Sequence, residues 1–544
     1  MIIKKDYSVA YISMEIALEN NIKTYAGGLG VLAGDLLKSA ASQKFPVVGI
    51  TLLNKEGYFK QKIDAHGNQT EMADTDFNFN LLTKLDTVIN LNIGSEELKV
   101  GVWEYLISGE DGYVGPVYFL DADLPENKTD FRNLTSRLYG GDLENRLRQE
   151  IILGRGGIKI LHALGYENIE KYHINEGHGA LATVELFLQR YEKTEKAKIE
   201  AVKKLCVFTT HTPLKTVYDD FPLDLILQNQ KDFPVGLKGL IKNRELNTLD
   251  LGMYFSGFIN GVSKRHQELL KNTFPNQKIE AITNGVNSVF WTGPEFRKLF
   301  DDNLSGWREN NGLLKQAEKI PDEEIWAAHQ KAKQRLLDYV KEKTQIEWAP
   351  EVFTLGYARR FTKYKQPLLL FTDIERLLEV LEKGREMQIV LAGKAHRRDT
   401  SGQEAIKKIF ALKAKYPQLN IVFLENYDLN LAKLLVSAVD LWLNTPEPPL
   451  EACGTSGMKA SHNGVPQFST LDGWWPEGYV KNKTGWAIND SDDLYETLKK
   501  EILPLYYEAP DKWQALMKNV ISINASYFNS DRAWDEYVSR AYKQ

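Results

Sequence analysis

Cysteine is scarce: the 544 residues hold two thiols, Cys206 and Cys453. That is too few for a disulfide framework and points to a reducing compartment. Long apolar runs are missing as well. The opening stretch MIIKKDYSVAYISMEIALEN is interrupted by Asp6, Ser8, Ser13 and Glu15, so neither a signal peptide nor a membrane span is expected, and a cytoplasmic protein is. Charge of one sign is also lacking. Lys+Arg 68 against Asp+Glu 73 leave a net −5, which disfavours a nucleic-acid surface and confines any anion site to a local basic cluster. There is no repeat of solenoid length, no low-complexity tract, no His/Cys/Asp/Glu set with metal spacing and no Ser-His-Asp order. No metal site is expected.

What is present suits a large α/β protein. The length exceeds what one hydrophobic core serves, so two domains are expected; 43% hydrophobic and 26% charged residues are ordinary values. The 11 tryptophans suit sugar-stacking platforms or simply a core. Residues 9–15 read as a strand, Tyr25–Gly30 as a glycine-rich turn into an apolar helix, and 47–53 as the next strand. Gly28-x-Gly30-x-x-Ala33 has dinucleotide-fingerprint spacing, but the acidic partner expected about 20 positions on is replaced by apolar residues. A phosphate cradle or a plain tight turn fits as well.

Residues 54–142 read as excursions from the main sheet, with 114–120 alternating. A helix is predicted over 143–164, interrupted at 154–157. Strand, polar loop and helix follow over 171–186, a strand over 205–210, a helix–loop–helix over 252–272 and a strand over 279–283. The turn Asn284-Gly285-Val286-Asn287 and the polar stretch to 312 mark the boundary between a domain 1–287 and a domain 288–515. In the second, helices (322–343, 366–381, 403–415, 429–438) alternate with strands (352–357, 388–392, 421–424, 440–443), which predicts a doubly wound parallel sheet. Ligands then belong at the carboxyl ends of the strands. Residues 516–544 are expected to return to the first domain as helix.

Three stretches could carry chemistry. In Glu447–Gly478, the turn Gly454-Thr455-Ser456-Gly457 leads into Met458-Lys459-Ala460. Backbone N–H groups at such a helix start can hold an anion beside the lysine amine, an arrangement suited to a phosphate-bearing aldehyde cofactor; a helix start with a solvated lysine is the plainer reading. Tyr357-Ala358-Arg359-Arg360-Phe361-Thr362-Lys363-Tyr364-Lys365 follows a strand, and Arg359, Arg360 and Lys365 could converge on one anion or form a solvated loop. His178 and His211 each follow a strand, where a lone histidine serves structure or catalysis.

The run Glu451-Ala452-Cys453-Gly454-Thr455-Ser456-Gly457-Met458-Lys459 resembles the pyridoxal-phosphate lysine motif of the glycogen/maltodextrin (α-glucan) phosphorylases, in a short bacterial or archaeal form. The resemblance covers most of the chain and implies two Rossmann-like domains facing a cleft (the GT-B type). It further implies pyridoxal 5'-phosphate tied to Lys459, with Arg359, Asn444, Thr455, Ser456 and Gly457 around the cofactor, and Arg360 and Lys365 on substrate phosphate. His178, Gly28, Leu29, Gly30, Asn284, Tyr364, Glu451, Cys453 and Gly454 would line the sugar site, with His211 in support.

The implied reaction is α-1,4-glucan (glycogen, starch or maltodextrin) plus inorganic phosphate giving α-D-glucose 1-phosphate with retention, the cofactor phosphate exchanging a proton with substrate phosphate. Departures from the family pattern are Gly179, Thr362, Asp428, Cys453 and Ser456-Gly457. A nucleotide-sugar glucan synthase, a non-catalytic glucan-binding protein and a two-carboxylate hydrolase are the alternatives, and a homo-oligomer is a further expectation.

Overall fold

A computed structural model describes residues 8–109, 112–213, 219–237, 240–381 and 384–543; Asp6 of the opening stretch lies outside them. The chain divides into two compact units. One comprises Met1–Tyr58, Ala73–Thr283 and Ala533–Gln544, the other Phe59–Met72 and Asn284–Arg532.

The first unit is built on a nine-stranded sheet. Its spatial order is Ile279–Ala281, Phe258–Gly261, Cys206–Thr209, Lys171–Asn175, Val9–Ser13, Val47–Leu52, Val114–Asp121, Glu96–Ser108, Thr83–Ile93. All neighbours pair in parallel except at the two strands of the last-named margin. Val9–Ser13 and Val47–Leu52 are buried throughout, as befits strands covered on both faces. Thr83–Ile93 instead alternates toward its end, with one dry face. Successive side chains take opposite faces. Tyr11, Val47 and Phe119 pack with the helix Gly28–Ser42 and with Trp534 and Tyr537. Ala10, Ile50 and Leu120 pack with the helices Leu143–Ile151 and Leu181–Leu188. Strand order reverses between Val9–Ser13 and Lys171–Asn175, the crevice where ligands bind in such sheets.

The second unit has six parallel strands in the order Ile421–Leu424, Met387–Ala392, Phe353–Ala358, Leu441–Asn444, Gln467–Thr470, Gly485–Ile488. In chain order this is 3-2-1-4-5-6, the dinucleotide-fold arrangement, and it reverses between Phe353–Ala358 and Leu441–Asn444. The helix Asp322–Thr344 buries Ile325, Ala328, Ala332, Leu336 and Val340, a stripe at helical spacing. No helix among the described residues is long and apolar enough to cross a membrane.

Several expectations need correction. Thr83–Ile93, Glu96–Ser108 and Val114–Asp121 extend the main sheet rather than leaving it. Phe258–Gly261, expected inside a helix–loop–helix, is a strand beside Cys206–Thr209. The helix over 143–164 is not broken at its glycines: Ile152–Gly156 forms a π-helical segment within it. Instead of one helix over 366–381 there are one 3-10 turn, Leu369–Phe371, and the helix Ile374–Val380, because Pro367 cannot continue a helical ladder and Asp373 caps a fresh start by accepting from the Arg376 amide at 3.0 Å.

The domain limits shift too. Residues 59–72, expected in the first domain, hydrogen-bond to 393–395 and 425–426 and belong to the second unit. Only Ala533–Gln544 of the expected returning helix joins the first unit, where the Tyr542 hydroxyl meets His173 Nδ1 at 2.7 Å.

Candidate active site

In the first unit the reversal point gathers the loops after Val9–Ser13 and Lys171–Asn175. Glu15, buried, turns its carboxylate onto the glycine loop: Oε2 accepts from the Ala26 amide at 2.7 Å and the Gly27 amide at 3.2 Å, and Oε1 accepts from the Tyr139 hydroxyl. A Cβ on Gly30 would lie 2.7 Å from Glu15 Cβ, so only glycine fits. A Cβ on Gly28 would meet nothing within 4 Å, which leaves the helix start open to a ligand.

Beside it, Glu176 sits at φ 77°, a left-handed conformation uncommon outside glycine. Its carboxylate accepts from the amides of Gly177 (3.0 Å) and His211 (2.8 Å). The His211 ring donates from Nε2 to Asn175 Oδ1 at 2.7 Å, an amide oriented by its own bond to Ser13 Oγ at 3.0 Å. The His178 ring lies 5.5 Å from that of Tyr139, and its buried Nδ1 has no hydrogen-bond partner among the described residues. Burial, with Arg146 nearby, drives His178 down to about 3; burial, with His266 nearby, does the same to His211. Both rings are therefore neutral near pH 7.

Behind His178, Arg146 Nη2 donates to Asp219 Oδ2 at 2.6 Å. The ligand atoms of Glu150, His178 and Asp219 lie within 4.8 Å of one another, a grouping not legible in the sequence spacing. Burial pushes the Glu150 carboxyl well above its usual range, and Asp219 adds to the push. Burial also raises Asp219, but Arg146 and His178 outweigh it and hold it low. The raised Glu150 carboxyl thus sits beside an Arg146–Asp219 ion pair.

In the second unit the corresponding loops follow Phe353–Ala358 and Leu441–Asn444. Arg359 Nη2 donates to Glu451 Oε2 at 2.7 Å, and Lys365 Nζ donates to the same oxygen. The Glu451 amide donates to Asp472 Oδ2 at 2.8 Å. Arg359 Nε and Nη1 are buried and have no acceptor among the described residues. Burial and repulsion from Arg359, against the pull of Glu451, push Lys365 down to about 7. Burial raises Glu451, but Lys365 and Arg359 outweigh it and keep the carboxyl below its usual range.

Lys459 lies in the short helix Ser456–Ser461, 8% exposed, with Nζ 4.0 Å from the Trp291 ring centroid. The lysine is thus neither in bulk water nor in a solvated loop. Asn463 fixes this pairing by donating to the carbonyls of Trp291 (3.0 Å) and Lys459 (3.1 Å). At the helix start, Trp442 Nε1 donates to Ser456 Oγ (3.0 Å), Ser456 to Asn444 Oδ1 (3.3 Å), and Asn444 Nδ2 to Gln467 Oε1 (3.1 Å). A Cβ on Gly457 would lie 1.3 Å from Gln467 Oε1, so any larger residue there would displace the Gln467 amide from Asn444.

A family model described as carbohydrate phosphorylase matches residues 238–475. Glycogen phosphorylase of Aquifex aeolicus is 34% identical over 98% of this chain and 86% of its own length. The chain belongs to the carbohydrate phosphorylase family. Among other phosphorylase relatives, maltodextrin phosphorylase of Thermococcus litoralis is 36% identical over 99% of this chain and 71% of its own, and glycogen phosphorylase of Mycobacterium tuberculosis 30% over 98% and 70%.

Within this phosphorylase the expected residues fall into two groups. Gly28, Leu29, Gly30 and His178 share the first unit; Lys459, Arg359, Lys365, Asn444, Thr455, Ser456, Gly457, Asn284, Tyr364, Glu451, Cys453 and Gly454 share the second. Arg359, rather than Arg360, pairs with Glu451; Arg360 is exposed, with His396 and Asp399 in its field. Cys453 is buried beside Asn284, and burial raises its thiol well above its usual range. Asp428, a departure from the family pattern, caps the helix Leu429–Ala438 by accepting from the Leu431 amide at 2.9 Å. Sequence reasoning missed Glu15, Tyr139, Arg146, Glu150, Asp219 and Trp291. Glu15 alone carried a signal, an acidic residue just past a buried strand.

Proposed function

We propose that this chain is an α-1,4-glucan phosphorylase, moving a terminal glucosyl unit from glycogen or maltodextrin to inorganic phosphate with retention and releasing α-D-glucose 1-phosphate. The neutral reversal point of the first unit would hold sugar, and the cationic one of the second unit would hold anions. The observation that carries this reading is Arg359, whose Nε and Nη1 are buried donors without acceptors next to Lys365 at the reversal point of a parallel sheet. Buried guanidinium donors call for an anion.

Pyridoxal 5'-phosphate fits the residues present. Lys459 would hold its aldehyde carbon, the turn Thr455-Ser456-Gly457 and Asn444 would line it, and the unmet donors of Arg359 suit its phosphate. When bound, the cofactor supplies a second phosphate acid–base group next to the substrate phosphate.

The chain's own residues do the rest. Lys365 and Arg360 would bind and orient inorganic phosphate, and the cationic cradle offsets the repulsion of two adjacent phosphates. Glu451, Asn284, Tyr364, Cys453 and Gly454 would hold sugar hydroxyls. Gly28–Gly30 would approach the anomeric side through backbone N–H groups, and neutral His178 would face the ring. Developing positive charge on the sugar would be met by the phosphate anion and by backbone carbonyl dipoles. A cytoplasmic setting is part of the proposal, supported by two free, buried cysteines lying in different units. The nucleotide-sugar and non-catalytic readings are not favoured, since the named relatives are phosphorylases.

The test is incubation with maltodextrin and phosphate, with and without pyridoxal phosphate. Glucose 1-phosphate should appear only with both, and a near-UV to violet absorption band should vanish in Lys459→Ala together with activity. Reducing sugar released without phosphate would overturn the reading in favour of a hydrolase.

A further inference from the structure

The hairpin of Lys60–Ile63 and Gln69–Met72 comes from the first half of the chain but belongs to the second unit. Most of its side chains are exposed or half-buried; Gln61 is 1% exposed. Its amide Nε2 donates to the Gly393 carbonyl at 2.8 Å and to Gln69 Oε1 at 2.9 Å. Its Oε1 accepts from the Asn426 amide at 3.1 Å, while its own backbone amide donates to Asn426 Oδ1 at 2.7 Å. Gln69 clasps both backbone groups of Ala395: Nε2 donates to the carbonyl at 2.8 Å and Oε1 accepts from the amide at 3.1 Å. Lys394 closes the contact by donating to the Phe59 carbonyl at 2.6 Å.

The segment so held, Gly393–Ala395, is the one on which the anion loop rests. Gly393 sits at φ 147°, and a Cβ there would lie 1.9 Å from the Arg359 carbonyl. The Arg359 amide donates to the Ala392 carbonyl at 3.1 Å and the Phe361 amide to the Lys394 carbonyl at 3.0 Å. On the other flank, Asn426 at φ 59° precedes Tyr427, a half-buried ring in the field of Arg359. The hairpin thus grips two strand-end loops at once, and the Arg359–Phe361 backbone rests on one of them.

We infer that the hairpin Lys60–Met72 is a positioning element for the anion loop Arg359–Lys365, with Gln61 and Gln69 as its positioning residues. This rests on the reading of that loop as the phosphate site. The argument is geometric: a buried side-chain amide that satisfies a carbonyl one residue from the cradle's backbone restrains that backbone, and removing the donor leaves the carbonyl unpaired. Placement errors well under a bond length in such a loop weaken anion binding without touching the sugar side.

The test uses full-length protein loaded with pyridoxal phosphate, comparing wild type with Gln61→Glu and Gln69→Glu. Each variant keeps the acceptor and loses the donor. Expected is a rise of about tenfold in KM for phosphate and a matching loss of phosphate affinity by calorimetry, with glucan KM changed less than about twofold. Gln61→Asn, which retains a donor, should fall between.

Equal shifts in both KM values, or unchanged phosphate affinity in correctly folded variants, would overturn the inference. If one variant fails to fold, the other decides. Wild type that binds phosphate but releases no glucose 1-phosphate would sink the proposed reaction while calorimetry still judges the hairpin. Wild type that binds no phosphate would sink both.

Discussion

The two reversal points solve opposite electrostatic problems. Around His178 and His211 the first unit disfavours or pairs much of the charge it buries: its imidazoles are uncharged, burial raises the Glu150 carboxyl, and Arg146 is matched by Asp219. Around Arg359 the second unit keeps buried charge, with two cations sharing one carboxylate and guanidinium donors left over. The same strand-end geometry therefore suits a neutral polyol in one case and an anion in the other. The kind of side chain buried, not the fold, makes the difference.

The broadest way to break this comparison is acid. His173, His178 and His211 sit at about 3 and His266 at about 4, all in the first unit; the second has His462 at about 4. Each folded value lies below the unfolded one of about 6.5, so stability is present above pH 6.5 and is lost as pH falls toward 3, at up to about 1.4 kcal/mol per pH unit for each histidine. Hydrogen exchange near pH 4 should show the first unit opening well before the second. Simultaneous opening would erase the contrast.

Next in size, Arg359→Ala should lower kcat/KM for phosphate by about 10²–10³-fold, as for other preorganised donors, and leave glucan binding largely intact. Calorimetry with glucan alone checks the second half of that statement. A smaller effect concerns Lys365, which loses its charge as pH rises through about 7. KM for phosphate should climb by roughly tenfold between about pH 6 and about pH 8 and stay flatter in Lys365→Met. The smallest expected effect is that of Asp428→Ala. Loss of a helix cap should cost about 1 kcal/mol, read as a modest drop in Tm, with phosphate KM unchanged.

Much of the second unit was legible because its strands, buried on both faces, read as continuous apolar runs between helices. Phe258–Gly261 escaped notice because half of its four residues are Asn260 and Gly261. Asn260 is tolerated in the interior because its amide is satisfied on both sides, accepting from the Thr209 hydroxyl at 2.8 Å and donating to the Gly261 carbonyl at 3.1 Å and to the Tyr537 hydroxyl at 3.0 Å, the last a partner far along the chain. Residues 59–72 failed for the same kind of reason: Lys60, Lys62 and Glu71 look like a surface loop, and the neutral amides that anchor them carry no periodic signal. At the site, Glu451 and Lys459 stand out only through a contiguous stretch that resembles a family motif; composition alone reads it as a helix start with a solvated lysine. Trp291 facing Lys459, and Asp219 facing Glu150, are products of folding alone.

The chain passes from one unit to the other after Tyr58, Met72, Thr283 and Arg532. On a ribosome, the first body cannot be finished when its sheet has emerged, since Trp534, Tyr537 and Tyr542 are still unmade and His173 waits for a hydroxyl that arrives almost last. The second body, conversely, stores its earliest piece for hundreds of codons before the rest exists. Splitting the gene after codon 283 should therefore yield two incomplete fragments, each holding a part of the other.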